Sequence, residues 1–336
     1  MHRPSIVYIY CPAKATTGGT ELLHQLASSL IQKGIKASMV YYDNEQIVDC
    51  DIPKPFSVYQ VQHSNRVTDQ KEAWVVLPEV YLYIGQQFKH AKVICWWLSV
   101  DNFFHDGLGS AIDALRWNTW FGIKRIIKQY ILRRAYTKAI SMQSLRDKKY
   151  LHLFQSYYAY SFLQSYDIHQ VNELGDYINL SFLNKEVPNN KEDIVLYNPK
   201  KMTKQFIEIM KCSPGIKWVP LQNMNLEELT AMYSRAKLYV DFGAHPGKDR
   251  IPREAVIHYC CLLTNKKGSA GYFEDVPIED EYKISDSYLN TSLLQDRIRS
   301  IFKDYSTHVQ NFESYRNNIK EEKTRFEQQI NSIFQS

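Results

Sequence analysis

At 336 residues, with 44% hydrophobic and 23% charged residues, the chain has the composition of a globular protein able to bury a sizeable core, not of a disordered or fibrous one. That length exceeds what one core usually holds, so two domains are predicted. The formal charge of +5 is too small for its total to imply a partner, and only local clustering of Lys and Arg can do so.

Six cysteines (Cys11, Cys50, Cys95, Cys212, Cys260, Cys261) show neither a CxxC pair nor zinc spacing, which reads as reduced, mostly buried thiols in a cytoplasmic protein. Met1-His2-Arg3-Pro4 leads straight into an apolar strand, so no signal peptide is expected. No apolar run approaches the roughly 20 residues of a membrane-spanning helix, and membrane contact is expected only at the surface.

In chain order, Ile6–Tyr10 reads as a strand, Thr17-Gly18-Gly19-Thr20 as a loop, and Leu22, Leu23, Leu26, Leu30 and Ile31 as one helix face closed by Gly34. Ala37–Tyr42 is the next strand, which makes a βαβ opening. Further strands are predicted at Ser57–Val61, Trp74–Leu77 and Val93–Val100, with a helical stretch at Gly85–His90. A long helical, basic region follows, and Asn179–Asn190 is the linker candidate. Beyond it the alternation resumes: strands Asp193–Tyr197, Ile216–Leu221, Lys237–Phe242 and Cys260–Thr264, with helices Leu226–Ala236 and Arg253–His258. Val309–Phe334 is a charged helix with a sparse apolar stripe. The implied division is 1–183, 184–308 and a C-terminal helix, 309–336. There is no solenoid-period repeat and no low-complexity tract.

Two loops carry the chemistry. Gly18-Gly19-Thr20-Glu21 lies between a strand and a helix, where free N–H groups favour an anion; the alternative is a plain tight turn. The segment from Val240 to Ala255 follows a strand and enters a helix. It gathers Lys248, Arg250 and Arg253 where a diphosphate would fit, and Glu254 where ribose hydroxyls would be accepted. The alternative is a charged loop whose Glu254 favours a helix start.

The wording His245-Pro246-Gly247-Lys248-Asp249-Arg250-Ile251-Pro252-Arg253-Glu254-Ala255 resembles the donor segment of GT-B glycosyltransferases, particularly retaining Glu-x7-Glu enzymes of bacterial capsule and O-antigen synthesis. Gly18-Gly19-Thr20-Glu21-Leu22-Leu23 is similar to that family's first Gly-rich loop. Tyr197-Asn198-Pro199-Lys200-Lys201 is similar to its basic diphosphate contacts, and Lys267-Gly268-Ser269-Ala270-Gly271 to the loop facing the donor sugar. Pro246 stands where the first glutamate would be, which leaves sugar identity and retention or inversion open.

The resemblance implies an α/β GT-B fold of two Rossmann-like domains facing across a cleft, with the C-terminal helix packing along them and crossing back to the first. The first would be the acceptor domain and the second the donor domain. It implies a hexosyltransferase-like enzyme that passes a sugar from a nucleotide-sugar donor to a glycan or lipid-linked acceptor in capsule or lipopolysaccharide synthesis. Asp101, His245 and Arg250 are the implied catalytic group. Asn198, Lys200, Lys248, Arg253, Glu254, Gly268 and Ser269 would hold the donor, and Gly18, Gly19, Thr20 and Glu21 an acceptor or phosphate. Asp101 would act as base in an inverting enzyme and orient the acceptor in a retaining one; its alternative is a turn cap after a buried strand. Asp49-Cys50-Asp51 matches an Asp-x-Asp string but lacks the companion features of a metal site. No metal, other cofactor or nucleic acid is expected. A silent nucleotide-binding subunit of an assembly complex and a sugar-nucleotide epimerase of the same fold are the alternatives.

Arg116–Lys149 holds ten Lys and Arg against one acid, Asp147, with Ile123, Ile126, Ile127, Tyr130 and Ile131 at helical spacing and Lys124, Arg125 and Lys128 opposite. Two readings stand: a helix lying on an anionic membrane surface, peripheral on the inner face of the plasma membrane, or a core-facing helix with a solvated basic face.

Overall fold

A computed structural model of the protein describes residues 3–131, 138–148, 150–183 and 190–335. The chain forms two α/β units: residues up to Gly175 together with those from Phe326 onward, and Asp176–Arg325. The division falls ahead of the linker candidate, of which 184–189 lie outside the described residues.

In the first unit, strands β1 (Ile6–Pro12), β2 (Ala37–Asp43), β3 (Gln46–Ile47), β4 (Ala73–Pro78), β5 (Lys92–Trp97), β6 (Leu151–Phe154) and β7 (Val171–Glu173) form one sheet in the order β3-β2-β1-β4-β5-β6-β7. All its pairings are parallel except that of the short β3 with β2. Val7 to Cys11 are buried without alternation, the pattern of a parallel strand covered on both faces. The helices are α1 (Gly18–Gln32), α2 (Val100–His105), α3 (Ala111–Trp117), α4 (Thr119–Ile126), α5 (Met142–Asp147) and α6 (Tyr157–Gln164).

The second unit has four parallel strands, β8 (Glu192–Tyr197), β9 (Lys217–Pro220), β10 (Ala236–Asp241) and β11 (Cys261–Thr264), in the order β11-β10-β8-β9. Its helices are α7 (Lys204–Lys211), α8 (Leu226–Arg235), α9 (Arg250–Ile257), α10 (Thr291–Lys303) and α11 (Tyr305–His308). A last helix, α12 (Glu313–Phe334), belongs to the second unit as far as Arg325 and to the first from Phe326. Its final turns are built into the first unit's core: Phe326, Ile330, Ile333 and Phe334 are buried, and Phe334 packs on Trp74 at 5.5 Å between ring centres. Glu327 accepts from Ser29 (2.7 Å) and pairs with Lys33 (2.8 Å) at the end of α1.

Several predicted elements are corrected. Ser57–Val61 is not a strand; Lys54–Tyr59 is a 3-10 helix that starts after Pro53 and ends at Gln60 in the left-handed region (φ 50°), and its second residue, Pro55, has no N–H to give a ladder. The helical stretch expected at Gly85–His90 lies earlier, as a 3-10 helix over Glu79–Gln87 that buries Leu82 and Ile84. Strand β5 stops at Trp97 because Ser99 caps α2. Helix α9 begins at Arg250, three residues before the expected Arg253, since Pro252 is tolerated in a first turn. The C-terminal helix opens with a 3-10 turn, Val309–Phe312. Strands β6 and β7, four and three residues long, were not foreseen within the basic region. All six cysteines are free thiols. No helix among the described residues is long and apolar enough to cross a membrane.

Candidate functional site

In an open parallel sheet, ligands bind beyond the carboxyl ends of the strands where the strand order reverses. In the second unit that point lies between β8 and β10. The loops there are Asn198–Lys201 after β8 and Phe242–Asp249 after β10, flanked by Asn265–Gly271 after β11.

The three loops are locked together. A Cβ on Gly243 would meet Lys201 at 2.6 Å, and one on Gly268, which sits at φ 50°, would meet the His245 carbonyl oxygen at 1.9 Å. Only glycine permits that approach. The Ser269 N–H donates to the His245 carbonyl (2.9 Å), Ser269 Oγ to the Gly247 carbonyl (2.7 Å) and the Asn265 side chain to the Gly243 carbonyl (2.8 Å). Gly268 and Ser269, expected to face a sugar, therefore brace the loop after β10. A small cavity among His245, Lys248, Thr264, Ser269 and Tyr315 has room for about one water.

Beneath this frame lies a buried ion cluster. Asp241 ends β10 and accepts from the Tyr239 hydroxyl (3.0 Å) and the Gly243 N–H (3.2 Å). His245 Nδ1 meets Asp249 Oδ2 at 2.6 Å, and its Nε2 lies 3.2 Å from Thr264 Oγ1. Lys201 places its ammonium on both Asp241 and Asp249. Burial pushes the Asp249 carboxyl up, but the His245 hydrogen bond and Lys201 outweigh it and hold it below its ordinary value. Burial likewise lowers Lys201, and the two carboxylates more than restore it. Donor atoms of Asp241, His245 and Asp249 lie within 4.8 Å of one another, as a cation site would require, and the cation seated on the two carboxylates is the Lys201 ammonium.

The expected basic trio is also paired. Arg253, fully buried, donates to Asp176 (2.7 Å) and Glu322 (2.8 Å); Lys248 meets Glu322 at 3.0 Å and Arg250 meets Asp176 at 3.8 Å. Burial raises Asp176 while Arg253 and Arg250 lower it, and the net is a carboxyl below its ordinary value. Four cations (Lys201, Lys248, Arg250, Arg253) thus meet four carboxylates (Asp176, Asp241, Asp249, Glu322). Lys248 and Arg250 keep some exposed surface; Arg253 and His245 keep almost none. Lys200 is exposed, and Asn198 closes its own turn by accepting the Lys200 N–H. Glu254 accepts from the Tyr233 hydroxyl on α8 (3.1 Å). Lys201, Asp241 and Asp249 stood in the segments singled out in the sequence, but nothing there marked them as partners. Asp176 and Glu322 lie too far along the chain for any spacing rule to reach.

In the first unit the strand order reverses between β1 and β4. The Gly18–Glu21 loop begins α1 there, and Thr17 and Thr20 cap it reciprocally, so the Thr20 N–H is already spent. Glu21 accepts from the Tyr59 hydroxyl. Gly19 lies beside Leu98, whose N–H donates to Glu79 (3.0 Å) at the end of β4. Burial pushes the Glu79 carboxyl up to about 7, against hydrogen bonds from the Leu98 and Ser99 backbone and Asn102 that favour its charged form. Nothing in the sequence around Glu79 marks it for burial. Asp101, in the first turn of α2, accepts from Tyr158 (3.0 Å), which accepts from Trp117 Nε1 (3.2 Å).

No protein-family model matches the sequence, and no curated protein matches it either. Solved structures do. HepE of Anabaena, in complex with UDP-glucose, superposes with a TM-score of 0.64 over 98% of this chain and 100% of that one, at 9% identity. Sucrose-phosphate synthase of Thermosynechococcus elongatus gives 0.61 over 98% of both chains at 11% identity. A glycosyltransferase of Rickettsia africae gives 0.57 over the full length of both at 13%. The chain has the GT-B fold. In that fold the locked loops of the second unit stand at the carboxyl edge of one Rossmann-like domain, and the Gly18–Glu21 loop and Glu79 at that of the other.

Proposed function

We propose that this protein is a glycosyltransferase that moves a sugar from a nucleoside-diphosphate donor to a glycan or lipid-linked acceptor, in the cytoplasmic assembly of a bacterial surface polysaccharide such as capsule or O-antigen. The observation that carries the reading is the full-length GT-B fold with three interlocked loops, two of them glycine-bearing, at the strand-order reversal of its second unit. HepE, of the same fold, was solved with UDP-glucose, so a uridine nucleotide is the first donor to try.

In this reading the diphosphate lies at the start of α9, where Asp249 makes no side-chain cap and a helix N-terminus favours negative charge. Lys248 and Arg250, the partly exposed cations, offset the charge that grows on the leaving diphosphate, and Lys200 adds to them from the neighbouring loop. Glu254 holds the ribose, and the Gly268–Ser269 turn keeps the loop after β10 open to the sugar. Arg253 and His245 act from behind, keeping Lys248, Arg250 and the loop in place. Asp101 faces the acceptor, as its base or its orienting group, and Gly18–Glu21 borders the acceptor's side.

The four-to-four pairing of charges favours a second reading, a nucleotide-binding subunit without transfer activity, because Lys248 and Arg250, which would meet a diphosphate, already have carboxylates. Calorimetry with UDP, GDP, dTDP, CMP and ADP, followed by an assay of sugar-nucleotide turnover, separates the two. Saturable binding of one nucleotide that Lys248→Met, Arg250→Met weakens at least tenfold, with transfer to an acceptor, supports the enzyme. Binding without turnover supports the subunit, and no binding by the folded protein overturns both.

A further inference from the structure

Helix α4 begins at Asn118, whose side chain accepts the Phe121 N–H (3.0 Å), and it continues past Ile126 through one wider, π-helical turn, Ile127–Ile131. Two contacts fix its rotation. Gly122 lies so close to α3 that an added Cβ would meet the Leu115 backbone at 2.1 Å. Arg125, expected on a solvated basic face, is buried instead and donates to the carbonyls of Phe104 (3.3 Å) and Gly107 (2.5 Å). With Gly122 and Arg125 inward, the residues at three- and four-residue spacing that remain outward are Trp120, Ile123, Ile127 and Ile131. Trp120 is 75% exposed and Ile131 70%, and Tyr130 stands beside them at 68%.

The helix does turn one side to the core, with Phe121 packed there beside the buried Gly122 and Arg125, but Ile123, Ile127 and Ile131 are not on that side. The face presented to solvent is the apolar one, and the exposed Lys124 and Lys128 border it. No acidic residue occurs from Ala114 to Ile131. Single exposed apolar residues need no explanation, but five on twelve successive positions form a patch that soluble surfaces avoid. Aromatic rings, aliphatic side chains and flanking lysines without acids are the combination that sits at the boundary of lipid headgroups and acyl chains. A second copy of the chain fits less well, because two such faces in contact would bring lysines against lysines.

We infer that the outer face of α4 and the turn after it is a docking surface for an anionic lipid bilayer. The inference stands on this face alone and does not depend on the transfer reaction. The test is co-sedimentation of the full chain with phosphatidylcholine vesicles and with vesicles containing phosphatidylglycerol, with analytical ultracentrifugation of the protein alone. Binding is expected to the anionic vesicles only, and it should weaken as salt rises. Lys124→Gln, Lys128→Gln should lower the affinity by roughly fivefold for each lysine, and Ile123→Ser, Ile127→Ser should abolish it. Both variants change exposed side chains, so their thermal melts should match the parent protein. Absence of binding to anionic vesicles at low salt, equal binding by the Ser variant, or a concentration-dependent dimer that the Ser variant dissolves would overturn the inference.

Discussion

Glu79 closes β4 with a carboxylate that is 3% exposed and has its pKa pushed up to about 7. Between its ordinary 4.5 and that value, the folded protein holds a proton there that the unfolded chain has released. Stability therefore falls as pH rises through this window, by about 3 kcal/mol in all. Glu79→Gln removes the titration, and urea melts at pH 5 and pH 8 are expected to lie closer together in the variant than in the parent. An unchanged gap would mean the carboxyl titrates normally. Arg253 presents the opposite case. Removing its charge with Arg253→Met leaves Asp176 and Glu322 buried with less compensation, a loss of about 3–5 kcal/mol near neutral pH. That deficit should shrink as the pH is lowered and the stranded Asp176 takes up a proton.

At the scale of elements, the loop after β11 supports the loop after β10 through Ser269, Asn265 and the close approach of Gly268. Gly268→Ala puts a side chain in the left-handed region, costing roughly 1–2 kcal/mol, and drives its Cβ into the His245 carbonyl. We expect a lower melting temperature and weaker nucleotide binding, whereas Gly215→Ala, whose Cβ would meet nothing within 4 Å, should leave binding unchanged. The β-α alternation was legible because buried parallel strands are short apolar runs between turn formers, as Ile6–Tyr10 and Asp193–Tyr197 illustrate. Ser57–Val61 misled for the same reason, its apolar residues being arranged by prolines that periodicity does not weigh. The loops of the candidate site were legible as glycines and charges between a strand and a helix. Their pairings were not, because Arg253 finds Asp176 and Glu322 only through the fold, and its charge alone reads as a ligand contact. The orientation of α4 depended on one close glycine and one inward arginine, neither of which alters the periodicity of the helix.

For the molecule as a whole, Asp176 and Asp249 set the acid limit. Both are held below the ordinary 3.8, so the stability they contribute is complete above that value and is lost as pH falls through their lower folded values. Acid unfolding followed by circular dichroism should set in below about pH 4 and shift upward when Lys201 is replaced by Met, which takes a cation from Asp249. Cutting the chain after Arg325 should leave the second unit's residues intact but strip Phe326, Ile330, Ile333 and Phe334 from the first. Limited proteolysis is then expected to cleave first within residues 3–175; equal resistance of cut and uncut chains would contradict this. The same arrangement sets an order of events during synthesis. Residues up to Gly175 leave the ribosome first, yet the aromatic ring that covers Trp74 is made only after the 150 residues from Asp176 to Arg325. At roughly 5–20 residues per second, the earliest-made unit spends on the order of 10–30 s with an open seam while the later, contiguous unit is completed. Nascent chains of this protein should therefore depend on chaperone cover over their first half more than over their second.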